Sequence, residues 1–287
     1  MNTIITIPVY KETLSDTEQI SLNRVLTVLG HYPLCLFTHK DLDLTCYMQV
    51  FEEHNVKLII EYFDKENFDG IKGYNTLMLS EQFYQRFADY DYMLLYQLDA
   101  YVFENQLERW ITLGIDYVGA PTYSTNDSLL KLSSQGKIVG NGGFSLRKIK
   151  SFIDIHHESG QFLTFAGLFH LYSIMQKGMI KSLLLSFLGV WGYKNSWKDI
   201  CKTEINEDIL YSILVAKKKN RFHIPDTLVA DYFAFEQFPS LSYIRTGGTL
   251  PFGCHGWEKY EKETFWAKHI NILESLSQKN QNTTFAV

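Results

Sequence analysis

Two short apolar runs constrain this chain more than any other feature. Ile4 to Val9 and Tyr92 to Leu98 are nearly continuous in apolar side chains and lack the alternation of a strand with one wet face. Runs of this kind read as strands buried on both sides, the condition of a parallel sheet covered by helices above and below. The segment between them fits. Ser15-Asp16-Thr17-Glu18 is a capping box in which Ser15 and Glu18 each satisfy a free backbone donor. Leu22, Val25, Leu26 and Leu29 follow at helical spacing, and Gly30 is placed to end the helix. Pro33 to Thr38 predicts a second strand, Thr45 to His54 a helix and Val56 to Tyr62 a third strand. Gly73 to Phe87 predicts another helix, with Leu77 inward, before the strand Tyr92 to Leu98. Strand–helix–strand repetition with short links implies an α/β fold with a largely parallel sheet. In such sheets ligands gather at the carboxyl ends of the strands.

The pattern changes after residue 103. Tyr117 to Gly119 reads as a short strand and Thr122 to Gln135 as a polar loop. Gly140-Asn141-Gly142-Gly143 is a glycine turn running into a strand or a helix start, and Ile149 to His157 reads as helix. An apolar tract follows from Phe162 to Trp191. Asn206-Glu207-Asp208 opens a helix continuing to Ala216, with its acids in the favourable first turn. A polar helix is expected from Glu258 to about Ser277, then a frayed tail over Lys279 to Val287. With no repeat, low-complexity block or linker, residues 1–287 read as one domain with two lobes.

Charge and cysteine usage narrow the function classes. Lys plus Arg number 27 and Asp plus Glu 32, a net charge of −5, so nucleic acid is not an expected partner through its backbone charge. Cys35, Cys46, Cys201 and Cys254 are scattered, without the spacing of a zinc or redox motif, which fits a reducing compartment. Met1 to Tyr10 lacks the basic region and cleavage site of a signal peptide. Met179 to Trp191 is apolar but too short to span a bilayer, and reads as a buried helix or one lying on a membrane surface.

Asp99 is the most informative single residue. It ends an apolar strand, which brings a carboxylate to the rim of a cleft, where it either caps the next turn or meets a cation. Mg²⁺ and Mn²⁺ prefer such oxygen ligands and bridge diphosphates. Other candidates are open in the same way. His255, between Gly253 and Gly256, is a ligand or a structural histidine; Trp257 closes over a ligand or packs in the core. Glu207 and Asp208 serve as a base or merely stabilise their helix. Gly142 and Gly143 allow close approach to a ligand or only a turn with positive φ. No serine or cysteine nucleophile stands out. The loop after Val9 lacks the glycines of a nucleotidyltransferase phosphate loop.

Four segments, in order along nearly the whole chain, carry a resemblance. They are Ile4-Ile5-Thr6-Ile7-Pro8-Val9-Tyr10, Tyr96-Gln97-Leu98-Asp99-Ala100-Tyr101, Gly140-Asn141-Gly142-Gly143-Phe144-Ser145-Leu146-Arg147 and Pro251-Phe252-Gly253-Cys254-His255-Gly256-Trp257. Together they resemble the GT-A class of glycosyltransferases, and more closely a bacterial family of GT-A-like proteins of unassigned specificity from polysaccharide gene clusters. The resemblance implies a GT-A fold with a mixed, mostly parallel central sheet. Residues 1–103 would then form the nucleotide-binding half and 104–278 the acceptor-binding half.

The implied activity is transfer of a sugar from a nucleotide-sugar donor to a hydroxyl of a glycan or lipid-linked glycan acceptor, with inversion preferred. A non-catalytic nucleotide- or sugar-binding protein is the alternative. The Asp99 segment resembles a degenerate Asp-X-Asp motif whose second position is Tyr101, so Asp99 and His255 are what remain to hold Mn²⁺ or Mg²⁺. Asp208, before Glu207, is the implied base. Pro8, Tyr10, Lys11, Thr38, Tyr74, Asn75, Ala100, Tyr101, Gly142, Gly143 and Trp257 would surround the donor. Arg147 and Arg245 are further candidates for the diphosphate, and Glu236 either orients the site or forms a buried pair. The implied location is cytoplasmic; the tract from Phe162 to Trp191, with Lys177 and Lys181, reads either as a peripheral contact on the inner membrane face or as a helical part of the acceptor lobe or a dimer contact.

Overall fold

The computed structural model describes residues 1–122, 138–203, 205–215 and 222–270. Its strands are β1 (Thr3–Pro8), β2 (Leu34–Thr38), β3 (Leu58–Tyr62), β4 (Tyr92–Tyr96), β5 (Ala100–Val102), β6 (Tyr117–Gly119), β7 (Pro121–Thr122), β8 (Ile138–Val139), β9 (Phe144–Lys148), β10 (Ala234–Phe235) and β11 (Gly253–His255). The central sheet has six strands in the order β3-β2-β1-β4-β9-β6. β1 runs parallel to both β2 and β4, and β2 to β3. β9 is antiparallel to β4 and β6. This is the mixed, mostly parallel sheet that the GT-A resemblance implies; the apolar runs predict its parallel part.

Burial on both faces is visible residue by residue. In β4, Met93 and Leu95 enter one core while Tyr92, Leu94 and Tyr96 enter the other. β2 divides likewise, Cys35 and Phe37 against Leu34 and Leu36. A strand read by both cores has no polar face to keep, which is why its sequence does not alternate.

Helices α1 (Asp16–Leu29), α2 (Thr45–Glu53), α3 (Gly70–Met78) and α4 (Glu81–Gln85) cover the first half of the sheet. The capping box at α1 is formed: Glu18 N donates to Ser15 Oγ at 3.3 Å and Ser15 N to Glu18 Oε2 at 2.8 Å. The helix expected over Gly73 to Phe87 is two helices. Ser80 interrupts it by accepting a hydrogen bond from Phe83 N, which makes it the N-cap of α4. α3 also begins at Gly70, three residues earlier than expected.

Two later expectations change similarly. Glu207–Ile209 is a single α-helical turn that continues as π-helix over Leu210–Val215. From Glu258 onward the described residues form turns and a short 3₁₀ helix, Trp266–Lys268, rather than an α-helix. Glu261 sits at φ 49° and breaks the run, while Phe265, Trp266 and Ile270 sink into a third core with Trp257. The tail 279–287 and most of the loop expected over Thr122 to Gln135 lie outside the described residues.

Candidate functional site

The site is assembled by a small second sheet, β10-β11-β5, set beside the end of β4. β5 follows Asp99 directly and pairs antiparallel with β11, Ala100 opposite His255. Gly256 N then donates to Asp99 O at 2.9 Å, through a turn that Gly256 makes at φ 61°. A backbone ladder thus fixes the late histidine beside the strand-end aspartate. β10 runs parallel to β11 and delivers Glu236 to the same place.

The side chains form a chain of contacts. His255 Nε2 lies 3.0 Å from Asp99 Oδ1 and 3.1 Å from Gln97 Oε1. His255 Nδ1 lies 3.1 Å from Glu236 Oε1, which also accepts from Asn141 Nδ2 at 2.8 Å. Lys259 Nζ donates to the other oxygen of Asp99 at 2.5 Å. Burial alone would lower the pKa of His255, but bonds and charge from Asp99 and Glu236 carry it up to about 9. Burial would likewise raise Asp99, yet His255 and Lys259 hold its carboxyl well below the usual range.

Above this chain opens a cleft of about 490 Å³. Pro8, Tyr10, Lys11, Tyr74 and Asp99 line it, together with Lys259. The tip of β1 and the end of β4 meet at this hollow, at the carboxyl ends of parallel strands, while His255 lies behind Asp99 and does not line it. Lys11 pairs with Glu18 at 2.5 Å, and Tyr47 Oη donates to Lys11 O at 2.9 Å, which anchors this wall.

A second carboxylate pair borders the chain. Glu207 is 2% exposed and forms a 2.9 Å ion pair with Arg147, itself fully buried. Arg147 also donates to Tyr84 Oη at 2.9 Å and Ser145 Oγ at 3.0 Å. Asp208 is half-buried. Burial, then the negative charge of Glu207, raise its pKa to about 7, partly offset by the bond from Ile209 N. Gly142 and Gly143 run between these groups. A Cβ on Gly142 would collide with Glu207 and one on Gly143 with His255. Neither glycine has a positive φ, so close approach is what they supply, and to protein side chains.

Other residues stand elsewhere than expected. Tyr101 is buried in the third core, under Arg24 at 5.3 Å, and does not line the cleft. Trp257 is fully buried in that core. Thr38 is buried at the end of β2, and Ala100 lies within the second core. Tyr74 and Asn75 are not at a helix start but inside α3. Asn75 accepts from Glu207 N at 3.3 Å and donates to Asn206 at 3.2 Å, tying α3 to the Glu207 turn. Arg147 is locked in its buried pair, and Arg245 pairs with Asp231 at 2.7 Å; neither lines the cleft. Lys259 was not legible as a site residue: its one signal is its place four residues after His255, past a glycine turn.

Whether a divalent ion suits the site is a question of donors. Asp99 Oδ1 and His255 Nε2 stand 3.0 Å apart, about the separation of two adjacent donors on one ion. Glu236 on Nδ1 is the outer carboxylate that ligating histidines usually have. Among the described residues no group of three or more His, Cys, Asp or Glu side chains is placed to hold a metal. Asp99 and His255 alone would leave most of an ion's positions to oxygens from a bound phosphate and water.

Residues 57–255 match the family described as "Protein of unknown function (DUF5672)". The chain belongs to this family. No curated protein matches it. Its fold is similar to that of an active-site mutant of LgtC, at 15% identity and a TM-score of 0.50 over 88% of this chain and 86% of that one. Mouse xyloside xylosyltransferase 1 is similar at 11% identity and a TM-score of 0.48, over 89% and 97%. So is core-mannan synthase A from Aspergillus fumigatus, in an Mn/GDP form, at 11% identity and 0.47 over 80% and 82%. The fold is the GT-A fold of glycosyltransferases. No helix among the described residues is long and apolar enough to cross a membrane.

Proposed function

We propose that this protein transfers a sugar from a nucleotide-sugar donor to a hydroxyl of a glycan acceptor, with inversion at the anomeric carbon, in the synthesis of a bacterial surface polysaccharide. The observation that carries this reading is the joining of Asp99 and Lys259, with His255 bonded to Asp99 from behind, at a cleft walled by Pro8, Tyr10, Lys11 and Tyr74. Such a cleft suits a nucleotide: apolar and aromatic walls with charge at one end. Residues 1–103 supply most of that wall, in keeping with a nucleotide-binding half; 104–278 would form the acceptor half, which lends the donor site His255 and Lys259. Such donors are cytoplasmic metabolites, and the reaction is placed there.

Asp99 and His255 would hold Mn²⁺ or Mg²⁺ against the diphosphate, where the ion would neutralise charge on the departing phosphate. Glu236 fixes the imidazole so that Nε2 faces Asp99. Lys259 adds a positive charge on the same side. Asp208 takes the proton of the acceptor hydroxyl as its oxygen bonds to the anomeric carbon and the bond to the diphosphate breaks. A carboxylate with a pKa near 7 is well matched to that role. Glu207, engaged by Arg147, positions this turn instead.

A second reading, a non-catalytic nucleotide- or sugar-binding protein, is favoured by one observation: Tyr101 in place of a second aspartate, turned into the core. A panel of UDP-, GDP-, CMP- and dTDP-sugars with Mn²⁺ separates the two. Turnover or hydrolysis of one donor, lost in Asp99→Ala, supports transfer. A thermal shift without turnover, with acceptors present, supports the binder. No shift with any donor removes both.

A further inference from the structure

The helices Phe165–Ile174 and Met179–Val190 pack on each other as a hairpin in which the second is built inside out. Its inward face is small: Ser182 and Ser186 are buried, and a Cβ on Gly189 would collide with Leu168. Its large side chains face away from the protein. Ile180 is 80% exposed, Leu184 58%, Phe187 59% and Trp191 78%. A water-facing helix is patterned the other way, with its apolar stripe against the core. An apolar face of this extent marks a surface that is covered in use.

Charge says what covers it. Between Gln161 and Lys198 there is no Asp or Glu, in a chain whose net charge is −5, and there are four lysines. Lys177, Lys181, Lys194 and Lys198 are all exposed. A second copy docked on this face would bring more lysines and no carboxylate from this tract, so like charges would meet. The helix is 12 residues long, enough to lie along a bilayer surface and too short to cross it. We propose that the Met179–Val190 helix is a membrane-docking face, its apolar side set into the boundary of an anionic lipid bilayer with Lys177 and Lys181 against the phosphate headgroups. This contact is independent of the transfer chemistry and stands or falls separately from it.

Flotation of the full chain with phosphatidylglycerol/phosphatidylethanolamine vesicles tests it, with phosphatidylcholine vesicles and high salt as comparisons. The chain is expected to float with anionic vesicles, and Trp191 fluorescence to shift to the blue. Ile180→Glu with Phe187→Glu should lose at least about tenfold in partitioning. Lys177→Gln and Lys181→Gln should lose about fivefold each. Because these side chains are exposed, circular dichroism melts should match the parent. Failure to float, or flotation indifferent to these substitutions, overturns the proposal. So does a dimer in sedimentation that the Glu pair dissociates, with no lipid binding by the parent.

Discussion

Arg147 and Glu207 form a buried ion pair at 2.9 Å, which commits one of two adjacent acids to the core. Glu207→Gln or Arg147→Met should each cost about 3–5 kcal/mol, since either leaves a buried charge without its partner. The double variant should cost less than the sum. Chemical denaturation of the four proteins measures the coupling, and a strictly additive result would count against it.

Asp208 carries the pH dependence. Its pKa lies near 7 in the folded chain against an ordinary 3.8. Transfer should therefore rise with pH and level off above about 7, and Asp208→Asn should lower kcat by about 10²–10⁴-fold. For stability the sign is opposite. A raised carboxyl pKa favours the folded state below pH 3.8, and that benefit is lost as pH rises toward 7. Asp208→Asn should therefore melt higher than the parent at pH 8, the difference closing in acid. Melts at several pH values check this.

Donor binding should follow Asp99 and Lys259. Asp99→Asn should abolish the thermal shift given by the preferred nucleotide sugar, and Lys259→Gln should weaken it about tenfold by loss of one charge-assisted contact. EDTA should reduce the shift of the parent and have no further effect on Asp99→Asn. A parent indifferent to EDTA would place the whole diphosphate on the lysine side.

Gly143→Ala should displace the imidazole it faces. The expected cost to stability is about 1–3 kcal/mol, with a far larger loss of donor affinity. Trp257→Phe, which alters only the third core, should change the melt and leave donor affinity unchanged. If both variants lost affinity alike, Trp257 would belong to the cleft after all.

The N-terminal half was legible because local and global signals agree there. The capping box at Ser15, the period of α1 and the unbroken apolar strands all point to one arrangement. Ser80 was misread because its capping bond competes with a helix whose apolar spacing runs on past it. The Glu258 segment failed differently: its polar spacing looks helical, but Phe265 and Trp266 are drawn into a core made by distant residues. At the site, Asp99 and His255 could be picked out from their neighbours. That Glu236 would hold the imidazole, and that Arg147 would be buried, depends on pairings 19 and 60 residues apart in sequence, which no local pattern encodes.

The ladder between β5 and β11 also sets when Asp99 gains its partners. It joins residue 100 to residue 255, so most of the cleft's wall is synthesised well before the strand that backs Asp99. A nascent chain halted ahead of Gly253 would hold an aspartate with neither imidazole nor ammonium beside it. The Asp99 carboxylate thus stays without its two cationic partners until the long-range pairing of β5 with β11 is made.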